Sequence, residues 1–429
     1  MPHISRSRDT EVIVIGAGVI GAACAFRLAQ AGREVLLLDA GQVGMGASFG
    51  NAGHIATEQL FPLASAEVIR NSWRYLLDAD SPLRLRLAYL LPVLPWLARF
   101  VWAARTPAFA RGVAALLALQ QSARADLAHL LRDADLGHLL HLDGHLEVWE
   151  SAAGRTSALT QARRLRPYGI ESLPLTAQAL RERVPGLSAK VQGAVHYMDS
   201  GHVDDPHAVC TGLAQGVQRL GGRIHQGRVE RLDASADKRV TLSLQDGSVL
   251  SAQRVVVCAG AWSKPLVASL GYHVPLDTER GYHITLAHPT AGAAALPTLT
   301  RPIASNERKV IVTPMAMGLR MTGTVEFGGL HLPPDPRRYE LLKRHLQALL
   351  PDTDTTAAST WMGFRPSLPD HLPVLGVAPR HANVFFAFGH QHLGLTLAGV
   401  SARIMAEVVL GRRSPIELAP YRINRFSFG

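Results

Sequence analysis

Three glycines and one acid near the start of the chain carry its most specific chemistry. Gly16, Gly18 and Gly21 stand in the G-x-G-x-x-G spacing, and Asp39 follows 23 residues after Gly16. In such a pattern the first glycine permits a tight turn and the second removes the Cβ that would bump a pyrophosphate. The third lets a helix pack closely on a strand, and the acid accepts hydrogen bonds from a ribose hydroxyl. The combination points to a bound dinucleotide, provided that the flanking elements are present, since a bare glycine pattern is weak evidence.

Those elements are legible. Val12 to Ile15 read as a buried strand, Ala22 to Ala31 as a helix, Gly32 as its stop and Val35 to Leu38 as the next strand. The helix N-terminus around Val19 and Ile20 offers free N–H groups to phosphates. Beyond Asp39 and Ala40 runs a loop of small residues, Gly44 to His54, whose Ser48, Asn51, Ala52 and Gly53 are placed to meet the rest of the ligand.

A chain of 429 residues, 47% hydrophobic, is long enough for two domains. Its net charge of +10 comes almost wholly from arginine and is scattered, with no nucleic-acid motif, which excludes DNA and RNA as partners. Cys24, Cys210 and Cys258 are widely spaced and read as small core residues in a reducing compartment. Arg6 and Arg8 precede an apolar segment, but that segment holds the glycine pattern, so the chain reads as cytoplasmic.

Further along, Leu87 to Ala104 is the most apolar stretch, interrupted by Pro92, Pro95 and Arg99. Trp96, Phe100 and Trp102, with Arg84, Arg86, Arg99 and Arg105 nearby, suit a segment lying on an anionic bilayer; a buried helical hairpin is the alternative. Thr106 to Asp135 reads as a long helix, and Asp199 to Pro206 carries the N-cap of a helix reaching Leu220. Val255 to Cys258 is a buried strand ending in Ala259-Gly260-Ala261-Trp262-Ser263. His273 to Thr285 and Val310 to Thr324 are strand-like, and Asp335 to Leu350 is helical. Trp361 to Asp370 is stiffened by prolines, and a strand from Val384 to Phe388 leads into Gly389 to Thr396, with Gly394 starting the last long helix. His54, His390 and His392 raise the question of a metal, but no carboxylate or cysteine accompanies them at a ligand spacing, so none is expected.

Four separated motifs then fall in one order. They are the N-terminal glycine pattern, Val255 to Ser263, Gly363-Phe364-Arg365-Pro366 with Pro369-Asp370, and Gly389-His390 with Gly394-Leu395-Thr396. Together they resemble the flavin-dependent D-amino acid dehydrogenase and glycine oxidase group, and Ser48-Phe49-Gly50-Asn51-Ala52-Gly53 looks most like its bacterial dehydrogenase branch. The resemblance implies FAD as cofactor and an α/β fold. A discontinuous Rossmann-type FAD-binding domain (residues 1–85, 200–264 and 355–429) would carry a second α+β domain on a mostly antiparallel sheet (86–199 and 265–354). It also implies that Val229, Gly260 and Trp262 line the cofactor site. The activity implied is oxidative deamination of D-amino acids by hydride transfer from Cα to the flavin N5, with electrons passed to a quinone or other carrier. His54 and Gln391-His392 depart from the family pattern on its substrate side and leave the exact substrate open; within the family a cyclic D-imino acid such as D-hydroxyproline or D-proline is the leading candidate.

Such chemistry requires a held carboxylate, and the planar fork of arginine donates two parallel hydrogen bonds to one. Arg365 is the candidate, matching the Gly-x-Arg-Pro arginine of the group, with Tyr282 as a second donor and His54 and His392 shaping the pocket. Gly389, Gly394, Leu395 and Thr396 would turn a helix N-terminus toward the negative charge of reduced flavin. The alternative function is a flavin-bearing subunit of a larger electron-transfer complex; no cysteine cluster for an iron–sulfur centre exists in this chain, so its further centres would come from partner subunits. A nicotinamide-dependent enzyme would not need the C-terminal glycine and histidine block.

Overall fold

The computed structural model describes residues 10–66, 68–70, 81–234, 239–288 and 296–426. Arg6 and Arg8 lie outside them. The strand Thr10–Ile15 enters an eight-stranded sheet with Val35–Asp39 parallel on one side and Val249–Val257 parallel on the other. Because side chains alternate along a strand, Val12 and Val14 face one core while Ile13 and Ile15 face another. The long strand Val249–Val257 is shared, its first part antiparallel to Val240–Leu244 and its last part parallel to His381–Phe388. The sheet is thus assembled from both ends and the middle of the chain.

Helices Val19–Gln30, Pro206–Arg219 and Ala398–Val409 cover one face of this sheet. The helix Thr106–Asp133, which the sequence reading placed with the second domain, packs Leu119, Ala123 and Leu127 into this same first core. It crosses Ala398–Val409 so closely that a Cβ on Gly399 would lie 2.4 Å from the Leu127 nitrogen.

A nine-stranded, mostly antiparallel sheet faces the first, in the order Ser359–Ser367, Asp277–Ala287, Gly318–Phe327, Val310–Met315, Ile303–Ser305, His145–Trp149, Gly193–Tyr197, Ser172–Thr176. Leu83–Leu85 adds to it beside Gly318–Phe327. Two expectations move here. Residues 83–85 and 359–367 fall in stretches assigned to the FAD domain, yet both hydrogen-bond within the second sheet. Within the proline-stiffened stretch Trp361 to Asp370, residues up to Ser367 belong to a strand at the sheet edge, where Pro366 is tolerated because its missing N–H has no second neighbour to serve. The helix Pro336–Leu349, N-capped by Asp335, seals the far side with Leu342, Leu346 and Leu349.

The stretch from Leu87 is a short 3-10 turn and then a helix, Leu90–Ala103, that runs through Pro95. Pro92 sits in the first turn, where its missing N–H costs nothing, and Pro95 forfeits one bond. Neither original picture of this stretch holds fully. Trp96 is buried, its indole N–H on the Ser367 carbonyl at 3.2 Å, and Phe100 stacks on it at 5.3 Å. Leu87, Leu91, Leu94, Val101 and Trp102 stand in solvent instead. Among the described residues no single helix is long and apolar enough to cross a membrane; this helix and Thr106–Asp133 together reach that length, bent by 88°.

Candidate functional site

Between the sheets lies a cavity of about 1120 Å³. Its first wall is the βαβ unit. Gly16 adopts φ +102, and a Cβ there would lie 2.4 Å from the Cys258 oxygen. Gly21 lies off the cavity, where its missing Cβ would meet the Gly16 oxygen at 1.7 Å, the helix–strand packing role expected of the third glycine. Gly18, Val19 and Ile20 face the cavity with Asp39 and Ala40. The Asp39 carboxylate accepts from Ala17 N–H at 2.6 Å and Gly41 N–H at 2.9 Å, so the acid also ties down the glycine turn. Ser48 accepts from the Val19 N–H at 3.0 Å, capping the helix start.

Asn51, Ala52, Val229, Gly260, Trp262, Gly389, Gly394 and Leu395 continue the wall. Gly53 and Thr396 do not reach it. Gly53 turns the chain at φ +70 against Val203, and the Thr396 hydroxyl accepts from Ala56 N–H at 3.0 Å. The last helix begins at Ala398, with Gly394 to Leu397 forming a preceding turn, so the N–H groups nearest the cavity belong to that turn. An extended cavity bordered in succession by an acid at a strand end, a glycine turn and a second glycine-bearing turn fits FAD. Its volume exceeds what a small amino acid alone would occupy.

The second wall is the face of the nine-stranded sheet. Along Asp277–Ala287 the odd residues Glu279 and Gly281 line the cavity, while Tyr282, Ile284 and Leu286 pack into the core beneath the helix Pro336–Leu349. This alternation corrects the role given to Tyr282. Its hydroxyl donates to Glu326 at 3.0 Å and accepts from Asp335 N–H at 3.0 Å, and burial beside Glu326 pushes it up to about 12. Tyr282 still borders the cavity, but with its hydroxyl engaged on both sides.

Arg365, directly across from Glu279 in the register, does face the cavity. Its guanidinium lies over Gly281, where a Cβ would come within 2.4 Å of Cζ, and donates to the Thr324 carbonyl at 3.2 Å. Thr324 has φ +63 beside an irregularity in the register that turns this carbonyl to the arginine. Burial lowers the Arg365 pKa and Glu279 works against it; burial raises that of Glu279 and Arg365 works against it.

His392 lies in the cavity wall, its Nε2 3.3 Å from Gln59 Oε1. Burial, then the nearby Arg365, holds it down to about 4, hence neutral. Gln391 lines the cavity as well, its side-chain amide donating to the Leu368 carbonyl at 3.2 Å. His390 shares a hydrogen bond with Ser401 at 3.0 Å, and burial pushes it down to about 3. His54 meets Glu58 at 3.0 Å and packs edge-on against His145 at 4.5 Å. A carboxylate therefore does accompany His54 within reach of a common centre, although the spacing argument missed it.

Sequence reasoning also passed over Glu58, His145, Glu147, Glu279, Trp361 and Arg320. The i,i+4 step from His54 to Glu58 was a readable signal; His145 arrives from a distant strand and left none. Trp361 stacks on His283 at 5.1 Å and covers Gly50, where a Cβ would lie 2.0 Å from the ring. Arg320, buried, donates to the Phe49 carbonyl at 3.0 Å and the Asn51 carbonyl at 2.9 Å, and His283 meets the Gly50 carbonyl at 3.1 Å. Burial lowers Arg320 to about 10, still charged at neutral pH. The second sheet thus holds the loop that borders the cofactor. Arg320→Met is expected to weaken FAD retention by about tenfold or more, since two charged-donor bonds are lost, each worth about 1.5–3 kcal/mol. Fluorescence of FAD released on dilution measures it; unchanged retention would show that the loop holds itself.

The FAD dependent oxidoreductase family matches residues 11–408. A D-amino-acid oxidase of Bradyrhizobium diazoefficiens is 32% identical over 97% of this chain and 98% of its own length. A D-amino acid dehydrogenase of Paramagnetospirillum magneticum is 31% identical over 97% of this chain and 99% of its own. Glycine oxidase from Geobacillus kaustophilus shares the fold, with a TM-score of 0.77 at 21% identity over 98% of this chain and 100% of that one. A match of that extent, on a chain whose glycine turn and two-sheet cavity are intact, means that it belongs to the FAD-dependent oxidoreductase family and is an enzyme with FAD as its cofactor.

Proposed function

We propose that the enzyme oxidises the Cα–N bond of D-amino acids or cyclic D-imino acids, D-hydroxyproline or D-proline foremost, and passes the electrons to a quinone or other carrier. The names of its relatives support the amino acid class. The observation that carries the reading is Arg365, a cation presented to the cavity across a glycine that leaves it room. Bound FAD supplies the electron acceptor for Cα–H cleavage. The chain supplies the pose: Arg365 takes the carboxylate, Thr324 fixes the guanidinium, and neutral His392 adds no competing charge beside it. Anaerobic bleaching of the flavin by D- and L-forms of proline, hydroxyproline and alanine tests this. Bleaching by the L-forms alone would overturn it.

The exposed apolar face of Leu90–Ala103 favours an acceptor dissolved in a bilayer. Leu91 is 77% exposed and Trp102 56%, with Arg105 beside the Trp102 ring at 6.0 Å. Arg86 turns inward toward Glu326 and Asp335, and Arg99 toward the Phe426 carbonyl, so the basic contribution is smaller than the sequence suggested. Apolar burial and the remaining charge act together on anionic lipid. The chain is expected to float with anionic vesicles, and Leu91→Glu/Leu94→Glu/Trp102→Glu to remain in solution with dye-linked turnover intact. A parent chain that stays down would assign the face to a partner subunit or the acceptor to solution.

A further inference from the structure

Glu58 lies on the cavity wall with a side chain only 10% exposed, and its two oxygens differ. Oε1 is engaged by His54 at 3.0 Å; Oε2 is buried with no partner among the described residues. The surrounding groups fix this arrangement. His145 packs on the His54 ring, and its Nδ1 is occupied by Ser200 at 2.9 Å. The other carboxylate at this end, Glu147, accepts from Asn306 at 2.5 Å. Burial opposes ionisation of Glu58, but His54 and His145 outweigh it and hold the carboxyl down at about 2. An ionised carboxylate only accepts hydrogen bonds, so Glu58 Oε2 is an acceptor without a donor on a residue that lines the cavity.

Glu58 shares its cavity with Arg365, and the His392 imidazole, bonded to Gln59, feels the charge of both. We propose that Glu58 Oε2 reads a hydrogen-bond donor on the substrate, at the end away from the carboxylate that Arg365 holds. The hydroxyl of hydroxyproline and the side-chain ammonium of a basic amino acid share that chemistry. This rests on the D-amino acid reading above. A site built to bond a substrate donor rejects the analogue that lacks it, because its own polar group is then left unpaired.

The test uses the holoenzyme in a dye-linked assay with two matched pairs, D-hydroxyproline with D-proline and D-lysine with D-norleucine. The donor-bearing member of one pair is expected to win by about 100-fold or more in kcat/KM, and the winning pair tells hydroxyl from ammonium. Glu58→Gln should shrink that ratio to within about tenfold, chiefly through KM of the donor-bearing substrate. Equal constants within both pairs on the native chain, which needs no variant, would overturn the proposal; so would a preference that Glu58→Gln leaves intact. Inhibition by Zn²⁺ relieved by chelation, with no preference in either pair, would instead make His54, Glu58 and His145 a metal site. Bleaching by L-amino acids alone would bring down the D-amino acid reading and this one with it, whereas D-substrates oxidised without discrimination bring down only this one.

Discussion

Replacing Arg365 by alanine is expected to lower kcat/KM for the amino acid by about 10²- to 10⁴-fold. The estimate follows from two charge-assisted hydrogen bonds of about 1.5–3 kcal/mol each. Arg365→Lys should recover only part, because an ammonium is a point charge that cannot reproduce the planar fork. Gly281→Ala should raise KM although the arginine is still present, since the new Cβ would displace the guanidinium from its place over residue 281. Removing the cation also leaves buried Glu279 opposite an empty position, so Arg365→Ala loses stability as well as activity. Adding Glu279→Gln should restore the urea midpoint without restoring turnover. An Arg365→Ala chain with ordinary kinetics and a lowered midpoint would show that the arginine only staples neighbouring strands.

The largest effect on stability is expected at Glu326. Its side chain is fully buried against Arg280, also fully buried, at 3.0 Å, and it accepts the Tyr282 hydroxyl as well. Arg280 further donates to the Gly329, Leu332 and Pro333 carbonyls, so the pair pins the segment that precedes the helix Pro336–Leu349. Glu326→Ala strands a buried guanidinium, at a cost of about 3–5 kcal/mol. Tyr282→Phe removes one hydroxyl from the same network and should cost about 1 kcal/mol while leaving KM for the substrate unchanged. Urea unfolding with an unchanged slope measures both. A tenfold rise in KM for Tyr282→Phe would return the hydroxyl to the substrate.

The contrast between Tyr282 and Arg365 shows where the sequence is readable and where it is not. The βαβ unit could be read because strand, turn, helix and acid are neighbours in the chain, and their roles follow from local geometry. Arg365 and Tyr282 were both named from motifs, but whether a strand residue meets the cavity depends on a period of two set by pairing to distant partners. Asp277–Ala287 turns its even residues to the core, and Tyr282 goes with them. His145 and Glu147 were invisible for a related reason: they reach the cavity because Ile303–Ser305 and Gly193–Tyr197, both distant in the chain, seat their strand in the second sheet. The Leu90–Ala103 helix was recognised as apolar, yet periodicity alone could not tell which stripe a neighbouring core would claim. Trp96 and Phe100 were claimed by Phe327 and His371.

The way the first sheet is stitched from separate stretches bears on synthesis. Thr10–Ile15 emerges from the ribosome with Val35–Asp39, but its other neighbour, Val249–Val257, is made more than 200 residues later. At bacterial or eukaryotic elongation rates that leaves one edge of an apolar strand open for roughly 10–50 s. His381–Phe388 arrives later still, so the nucleotide-binding unit closes only when the chain is nearly complete. Nascent chains should therefore engage holding chaperones over most of their length, and truncations ending before Val249 should aggregate even though they contain the whole glycine turn.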